Sequence, residues 1–395
     1  MTVPVYMDNH ATTRVDPLVV EAMLPWFSEH YGNPGSVSHP FGWDALEAVE
    51  NARKAVALTL GATEREINFT SGATESNNLV IRGIAQAPRR RGDHIVSVKT
   101  EHKAILDPLK RLSRQGFDVT LLDVSPADEP TTGLIDLDQL RASLRDETIL
   151  VSIMLANNEI GTLQPIAEIA EICHEQGVPL HCDATQAIGK IPVDVETLGV
   201  DYMSFSAHKI YGPKGVGGLY VRRRAPGARL VPQIDGGGQE HGLRSGTLNV
   251  PGIVGLAEAI RLCDEFRETE SARVAKIRNR LASELQRSID STLLNGPPLD
   301  CANRLTGNLN LVFRLVDGEA LMMSMRDIAV SSGSACTSAN PEPSHVLRAI
   351  GRSDEDTRAS LRFGIGRFNT EEEVDFAVQL LVDTVSKLRK MSSLG

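Results

Sequence analysis

Between residues 94 and 221, short β-branched and apolar runs alternate with amphipathic stretches. The runs at 94–98, 119–124, 149–155, 179–183, 202–206 and 217–221 read as strands. Several are continuously apolar, the pattern of strands covered on both faces. Helical patterns lie between them, as at 166–175, where Ile166, Ile169, Ala170 and Cys173 share one face. This rhythm predicts an α/β fold with a mostly parallel central sheet. Helix starts are also marked. Asp16-Pro17 offers a cap followed by proline at the first helical position. Thr370 and Glu373 have capping-box spacing before Val374, Ala377 and Leu381. From about 256 to 289, Ile260, Cys263, Val274, Ile277, Leu281 and Leu285 recur at helical spacing. A long helix is expected there, leading out of the sheet domain near residue 255.

Composition narrows the function classes. A chain of 395 residues buries a sizeable core without needing disulfides or metals. Its net charge is 41 − 51 = −10, which argues against a nucleic-acid binder. The arginine triplets at 89–91 and 222–224 are short and read as solvated turns. The five cysteines are odd in number and form no CxxC pair, so a reducing compartment fits. No apolar run approaches the ~18 residues of a membrane span. The first residues lack a signal-peptide pattern. A cytoplasmic protein without membrane association is expected.

Polar residues cluster where strands should end, the place where open α/β sheets bind ligands. Ser71-Gly72-Ala73-Thr74-Glu75 looks like a turn opening a helix. It is either an ordinary cap or an anion site suited to phosphate. Asp183 and Lys209 are 209 − 183 = 26 residues apart, about one helix and one strand, so they can end adjacent strands. They form either a plain ion pair or a pyridoxal phosphate (PLP) site. In the second case the lysine amine bonds the aldehyde and the carboxylate keeps the pyridine nitrogen protonated. Ser206 and His208 would then add phosphate donors. Cys336 lies in a stretch of small and polar residues ending at Pro341, which predicts an exposed loop carrying an accessible thiol. Cys173, Cys182, Cys263 and Cys301 read as core or incidental residues. The spacing of Cys173-His174 and His181-Cys182 matches no standard zinc pattern. His102 follows a strand and is a candidate acid/base group, though an isolated histidine is more often structural. Gly236-Gly237-Gly238 lacks the context of a nucleotide loop.

These motifs, in this order, resemble the PLP-dependent cysteine desulfurases of the NifS/IscS-like group, within fold type I of PLP enzymes. The resemblance runs nearly end to end. It includes Met7-Asp8-Asn9-His10-Ala11-Thr12-Thr13, Ser71-Gly72-Ala73-Thr74-Glu75-Ser76-Asn77-Asn78, Glu101-His102-Lys103, Asn157-Asn158-Glu159-Ile160-Gly161, Asp183-Ala184-Thr185-Gln186, Ser206-Ala207-His208-Lys209, Arg244-Ser245-Gly246-Thr247 and Ser332-Gly333-Ser334-Ala335-Cys336-Thr337-Ser338. It implies a large PLP-binding domain over 15–255. A smaller α+β domain would comprise 1–14 and 256–395 and carry the Cys336 loop. By resemblance Lys209 is the Schiff-base lysine, Asp183 the pyridinium partner and His102 the stacking, proton-transferring histidine. Gln186 and Asn158 resemble ligands on the ring's 3-oxygen side. Thr74, Ser206 and His208 resemble phosphate ligands, and Ala73 resembles a further cofactor-binding residue. Thr247 resembles a phosphate ligand donated by the second subunit of a homodimer. Arg362 resembles the clamp for the substrate carboxylate, with Asn158 beside it, and a guanidinium suits that task by gripping a carboxylate bidentately. Cys336 resembles the nucleophile that takes sulfur as a persulfide.

The implied reaction converts L-cysteine to L-alanine, with sulfur passed to an acceptor such as an iron–sulfur scaffold. IscS-like members continue with a tail that helps dock that scaffold. This chain stops at Met391-Ser392-Ser393-Leu394-Gly395, which sets its expected docking apart from the usual contacts. Two other readings are another fold type I reaction, such as selenocysteine lysis or amino transfer, and a catalytically silent sulfur carrier. A transaminase would not need Cys336, and a silent carrier would lack the yellow cofactor.

Overall fold

The computed structural model describes residues 3–88, 91–223, 230–332 and 343–392. The first strand, β1 (Val5–Tyr6), pairs in parallel with β11 (Ile328–Ala329), far along the chain. The central sheet holds β2 (Ile67–Thr70), β3 (His94–Val98), β4 (Asp118–Leu122), β5 (Thr148–Ser152), β6 (Leu180–Asp183), β7 (Tyr202–Ser206) and β8 (Gly217–Val221). Their spatial order is β2-β8-β7-β6-β5-β3-β4. β8 is antiparallel to both neighbours, and the other pairings are parallel. The mostly parallel α/β sheet expected from the sequence is therefore present.

The six expected strands are found, with shifts at their ends. The assigned strand ends at Ser152, but the run at 149–155 keeps bonding to β6, with the Ile153 and Leu155 amides donating to the His181 and Asp183 carbonyls at 3.0 Å. Pro179 falls outside β6, as a residue without an N–H should. Its carbonyl still accepts from Val151. β2 was not expected. Its sequence, Ile67-Asn68-Phe69-Thr70, mixes polar with apolar positions, yet all four residues are buried.

The expected caps also form. Asp16 accepts from the Leu18 amide at 3.0 Å and opens the helix Pro17–Met23. Thr370 and Glu373 exchange side-chain-to-backbone bonds of 3.2 and 3.3 Å before the helix Glu371–Ser392. The amphipathic helix Ile166–Glu175 packs the predicted face inward.

The long helix expected from 256 begins earlier and spans Val250–Ser288 without a break, so residue 255 lies inside it. Its first half, through Cys263, packs into the core under the sheet. From Val274 onward it packs into a second core. That core is built on the antiparallel sheet β12-β13-β10-β9, in which β9 is Thr292–Leu294, β10 Asn308–Phe313, β12 Ser331–Ser332 and β13 Ser360–Gly364. Val5 and Met7, from the far N-terminus, complete the second core. Among the described residues no helix is long and apolar enough to cross a membrane.

Candidate functional site

Five strands end around one cavity of about 550 Å³. β2 delivers Gly72–Glu75, β3 His102, β5 Asn158, β6 Asp183 and Gln186, and β7 Ser206 and Lys209. Arg362 closes the cavity from the second sheet, and residues 10–12 close it from the N-terminus.

One wall is the start of the helix Ala73–Ala85. Gly72 precedes it with φ +148°, a conformation open to glycine, and no side chain caps the helix. A Cβ at Gly72 would sit 3.5 Å from Ser206 Oγ. The positive end of this helix therefore opens onto the cavity beside Ser206 and His208. Burial and the charges of Lys209, Lys214 and Lys190 push the His208 pKa down to about 4. Its ring is neutral, with Nδ1 3.1 Å from Thr12 Oγ1.

Asp183 and Lys209 follow adjacent parallel strands, where Asp183 pairs with Ser204. They are not a simple ion pair. Asp183 Oδ2 accepts from Asn77 Nδ2 at 2.7 Å, and Oδ1 accepts from the Thr185 amide at 2.9 Å. Lys209 Nζ donates to the carbonyls of His10 and Ala11 at 2.7 and 2.6 Å. Asn77 Oδ1 and Thr185 Oγ1, both on residues lining the cavity, are buried without a partner among the described residues. Buried polar atoms are normally satisfied, so these point to a polar ligand.

His102 caps the helix Lys103–Ser113, and its Nδ1 accepts from the Ala104 amide at 3.1 Å. A ring whose Nδ1 accepts carries its proton on Nε2 when neutral. Burial lowers the His102 pKa and Lys209 adds to this, against the pull of Asp183. Beneath it, burial and Asp183 hold the Glu101 carboxyl well above the usual range.

Arg362 is fully buried in β13. Its Nη2 donates to Asp8 Oδ1 at 3.0 Å and Ser331 Oγ at 3.1 Å, and Nη1 donates to the Asn158 carbonyl. Its Nε has no partner among the described residues. Ser331 pairs with Arg362 across β12 and β13, so the chain leaves towards residue 333 directly beside this guanidinium. It returns at Ser344, which donates to Glu159 Oε2, and at His345, whose Nε2 lies 2.8 Å from the Glu101 carbonyl. Cys336 lies outside the described residues.

The cavity brings together Lys209, Asp183, His102, Ala73, Thr74, Asn158, Gln186, Ser206, His208 and Arg362, all expected from the sequence. Thr247 is not among them. It lines a separate depression of about 220 Å³ that also holds Arg53 and Glu240. Sequence reading missed Asn77, Thr185, His10 and Lys214. Asn77 had a usable signal, because it lies one helical turn after Ala73 and so shares its face. His10 had only its place in the Met7–Thr13 motif, since its neighbours come together only through folding.

Comparison with known proteins agrees with this geometry. The aminotransferase class-V family matches residues 5–376. A curated relative from Anaeromyxobacter dehalogenans (strain 2CP-C), named cysteine desulfurase IscS, is 56% identical over 394 residues, covering 100% of this chain and 95% of that protein. A solved NifS-like protein superposes with a TM-score of 0.88 at 40% identity, covering 98% of this chain and 100% of the other. A structure described as SspA in complex with cysteine superposes at 0.80 with 38% identity, covering 93% of this chain and 100% of that one. The chain belongs to the aminotransferase class-V family, in its NifS/IscS-like cysteine desulfurase group.

Proposed function

We propose that this protein uses PLP to convert L-cysteine to L-alanine and takes the sulfur onto Cys336 as a persulfide. The observation that carries the reading is the joint presence, in one cavity, of an amine on Lys209, a carboxylate on Asp183 and an open helix N-terminus. The residues fit the cofactor. Ala73, Thr74, Ser206 and His208 would hold its phosphate, Asp183 its ring nitrogen, and Gln186 and Asn158 its oxygen side. Thr185 Oγ1 and Asn77 Oδ1 offer unfilled polar positions beside it. When bound, PLP supplies an aldehyde for the amine and a ring that spreads the electron pair left by a departing Cα proton.

The chain's own residues do the rest. Arg362 has a free Nε donor for the substrate carboxylate, which fixes the Cα proton relative to Lys209. Asp183 stays oriented because Asn77 and the Thr185 amide hold both of its oxygens. His102, which lines the cavity with its proton on Nε2 when neutral, would serve as the acid/base group. The Cys336 thiolate takes the substrate sulfur. A sulfur–sulfur bond forms, the carbon–sulfur bond of cysteine breaks, and that carbon gains the proton given up by the thiol.

The reading includes a homodimer in which Thr247 completes the partner's cavity. Supporting this, Thr247 does not line its own cavity, and Phe27, Tyr31, Phe41 and Trp43 expose apolar surface. The sulfur acceptor in this reading is an iron–sulfur scaffold. The test is incubation with L-cysteine and a reductant, measuring alanine and sulfide together. Equal yields are expected, and Cys336→Ala should abolish both while leaving bound PLP intact. Alanine formed without sulfide would overturn the reading.

A further inference from the structure

Gln186 and Lys190 lie four residues apart on the turn after β6, and their side chains meet. Lys190 Nζ donates to Gln186 Oε1 at 2.7 Å. The same oxygen lies 3.2 Å from His10 Nδ1. At the other end of the amide, Gln186 Nε2 donates to the His10 carbonyl at 2.9 Å. That carbonyl also accepts from Lys209. An amide is nearly symmetric in shape but not in chemistry, so the partner of one end decides what the other end presents. Here both partners agree. The donor faces the oxygen and the carbonyl faces the nitrogen, which leaves the second N–H of Nε2 for the cavity.

His10 supports the same orientation. Burial holds its pKa well below the ordinary value, with Lys190 and Arg362 adding to the effect. The neutral ring has one proton, and the neighbouring Gln186 oxygen calls for it on Nδ1. Nε2 is then a bare acceptor, and it is indeed buried without a partner. Among the described residues no carboxylate lies within salt-bridge distance of Lys190. Its charged surroundings are Lys209 and Arg362, with Arg267 and Glu270 around a small adjoining cavity of about 50 Å³. Cys263 is the remaining titratable neighbour. Burial and then Lys209 bring the Lys190 pKa down to about 7, so its ammonium is complete only below that pH.

We infer that Lys190 and His10 are positioning residues that hold the Gln186 amide with its N–H edge towards the cavity, making Gln186 a hydrogen-bond donor to the cofactor's ring oxygen. This rests on the PLP reading above. A donor at that oxygen tightens cofactor binding, and donation from an ammonium polarises the amide and strengthens it.

The test is PLP affinity of the full-length protein at pH 6 and pH 8.5. Lys190→Met should weaken binding about tenfold at pH 6, the worth of one charge-assisted hydrogen bond, and less at pH 8.5. Lys190→Arg, charged at both pH values, should match wild type at pH 6 and bind at least as tightly as wild type at pH 8.5. In a Gln186→Leu background, Lys190→Met should have no further effect. A penalty that is equal at both pH values, or that persists without Gln186, overturns the inference. If Lys190→Met does not melt cooperatively, His10→Leu carries the test. It should weaken binding about threefold in the wild-type background and not in Gln186→Leu, and equal losses in both overturn it. A wild-type protein that binds no PLP would instead sink the PLP reading, so the two failures are distinct.

Discussion

Two buried polar regions lie on the same sheet domain, and they are finished differently. Behind β2, Arg53 pairs with Glu240 through both guanidinium nitrogens at 2.9 and 2.8 Å. Glu240 also accepts from the Phe69 amide, and Arg53 donates to the Ile67 carbonyl and lies over the Phe69 ring. Glu240 and the next residue, His241, both take positive φ to reach this position. At the cavity, by contrast, a helix start is left uncapped and Asn77 and Thr185 keep unpaired atoms. Both regions are costly to bury. The first is closed on itself and holds the fold, whereas the second is left open for something the chain does not contain.

The sharpest way to break this contrast is Lys209→Ala. It should cut activity by about 10³-fold or more and remove the visible cofactor band, with unfolding by denaturant nearly unchanged. A large loss of stability would mean that the cavity is structural after all. Glu240→Ala should do the opposite. It leaves a buried guanidinium with only the half-exposed Glu50 carboxylate at 3.3 Å and should cost roughly 3 kcal/mol in denaturant unfolding, while any folded protein keeps its cofactor colour.

Glu159 is an intermediate case, a buried carboxyl whose partner is the Ser344 hydroxyl instead of a cation. Burial raises its pKa to about 7. A raised carboxyl pKa favours folding while the group is protonated. That contribution is complete below about 4.5, the ordinary value, and is lost as pH rises to about 7. Glu159→Gln cannot titrate, so its stability relative to wild type should climb by about 3 kcal/mol between those pH values and then level off. A flat difference in paired melts would show that Glu159 is ionised throughout. The smallest effect is expected at the helix start. Gly72→Ala forces φ +148° on a residue with a Cβ and should weaken PLP binding by about 1–2 kcal/mol, with thermal stability little changed. Unaltered affinity would remove Gly72 from the phosphate cradle.

Much of this was legible in the chain. Strands buried on both faces announce themselves as apolar runs, so β3, β5, β6, β7 and β8 were readable. β2 was not, because Asn68 is buried yet polar and finds partners in the carbonyls of Glu66 and Leu219 only after folding. The cavity residues that follow strand ends could be named because sequence motif and strand end coincide. His10 and Lys190 could not, since one comes from the N-terminal segment and the other looks like a surface lysine until the turn after β6 brings it to Gln186.

The first dozen residues have a consequence for biosynthesis. The Met7 carbonyl accepts from the Gly364 amide, the Asn9 amide donates back to the Gly364 carbonyl, and Asp8 grips Arg362. Residues 7–9 are therefore translated long before the strand that receives them. A nascent chain on the ribosome can assemble the cavity walls around Gly72 and Ser206 early, but the wall that Arg362 supplies waits until residue 364 has emerged.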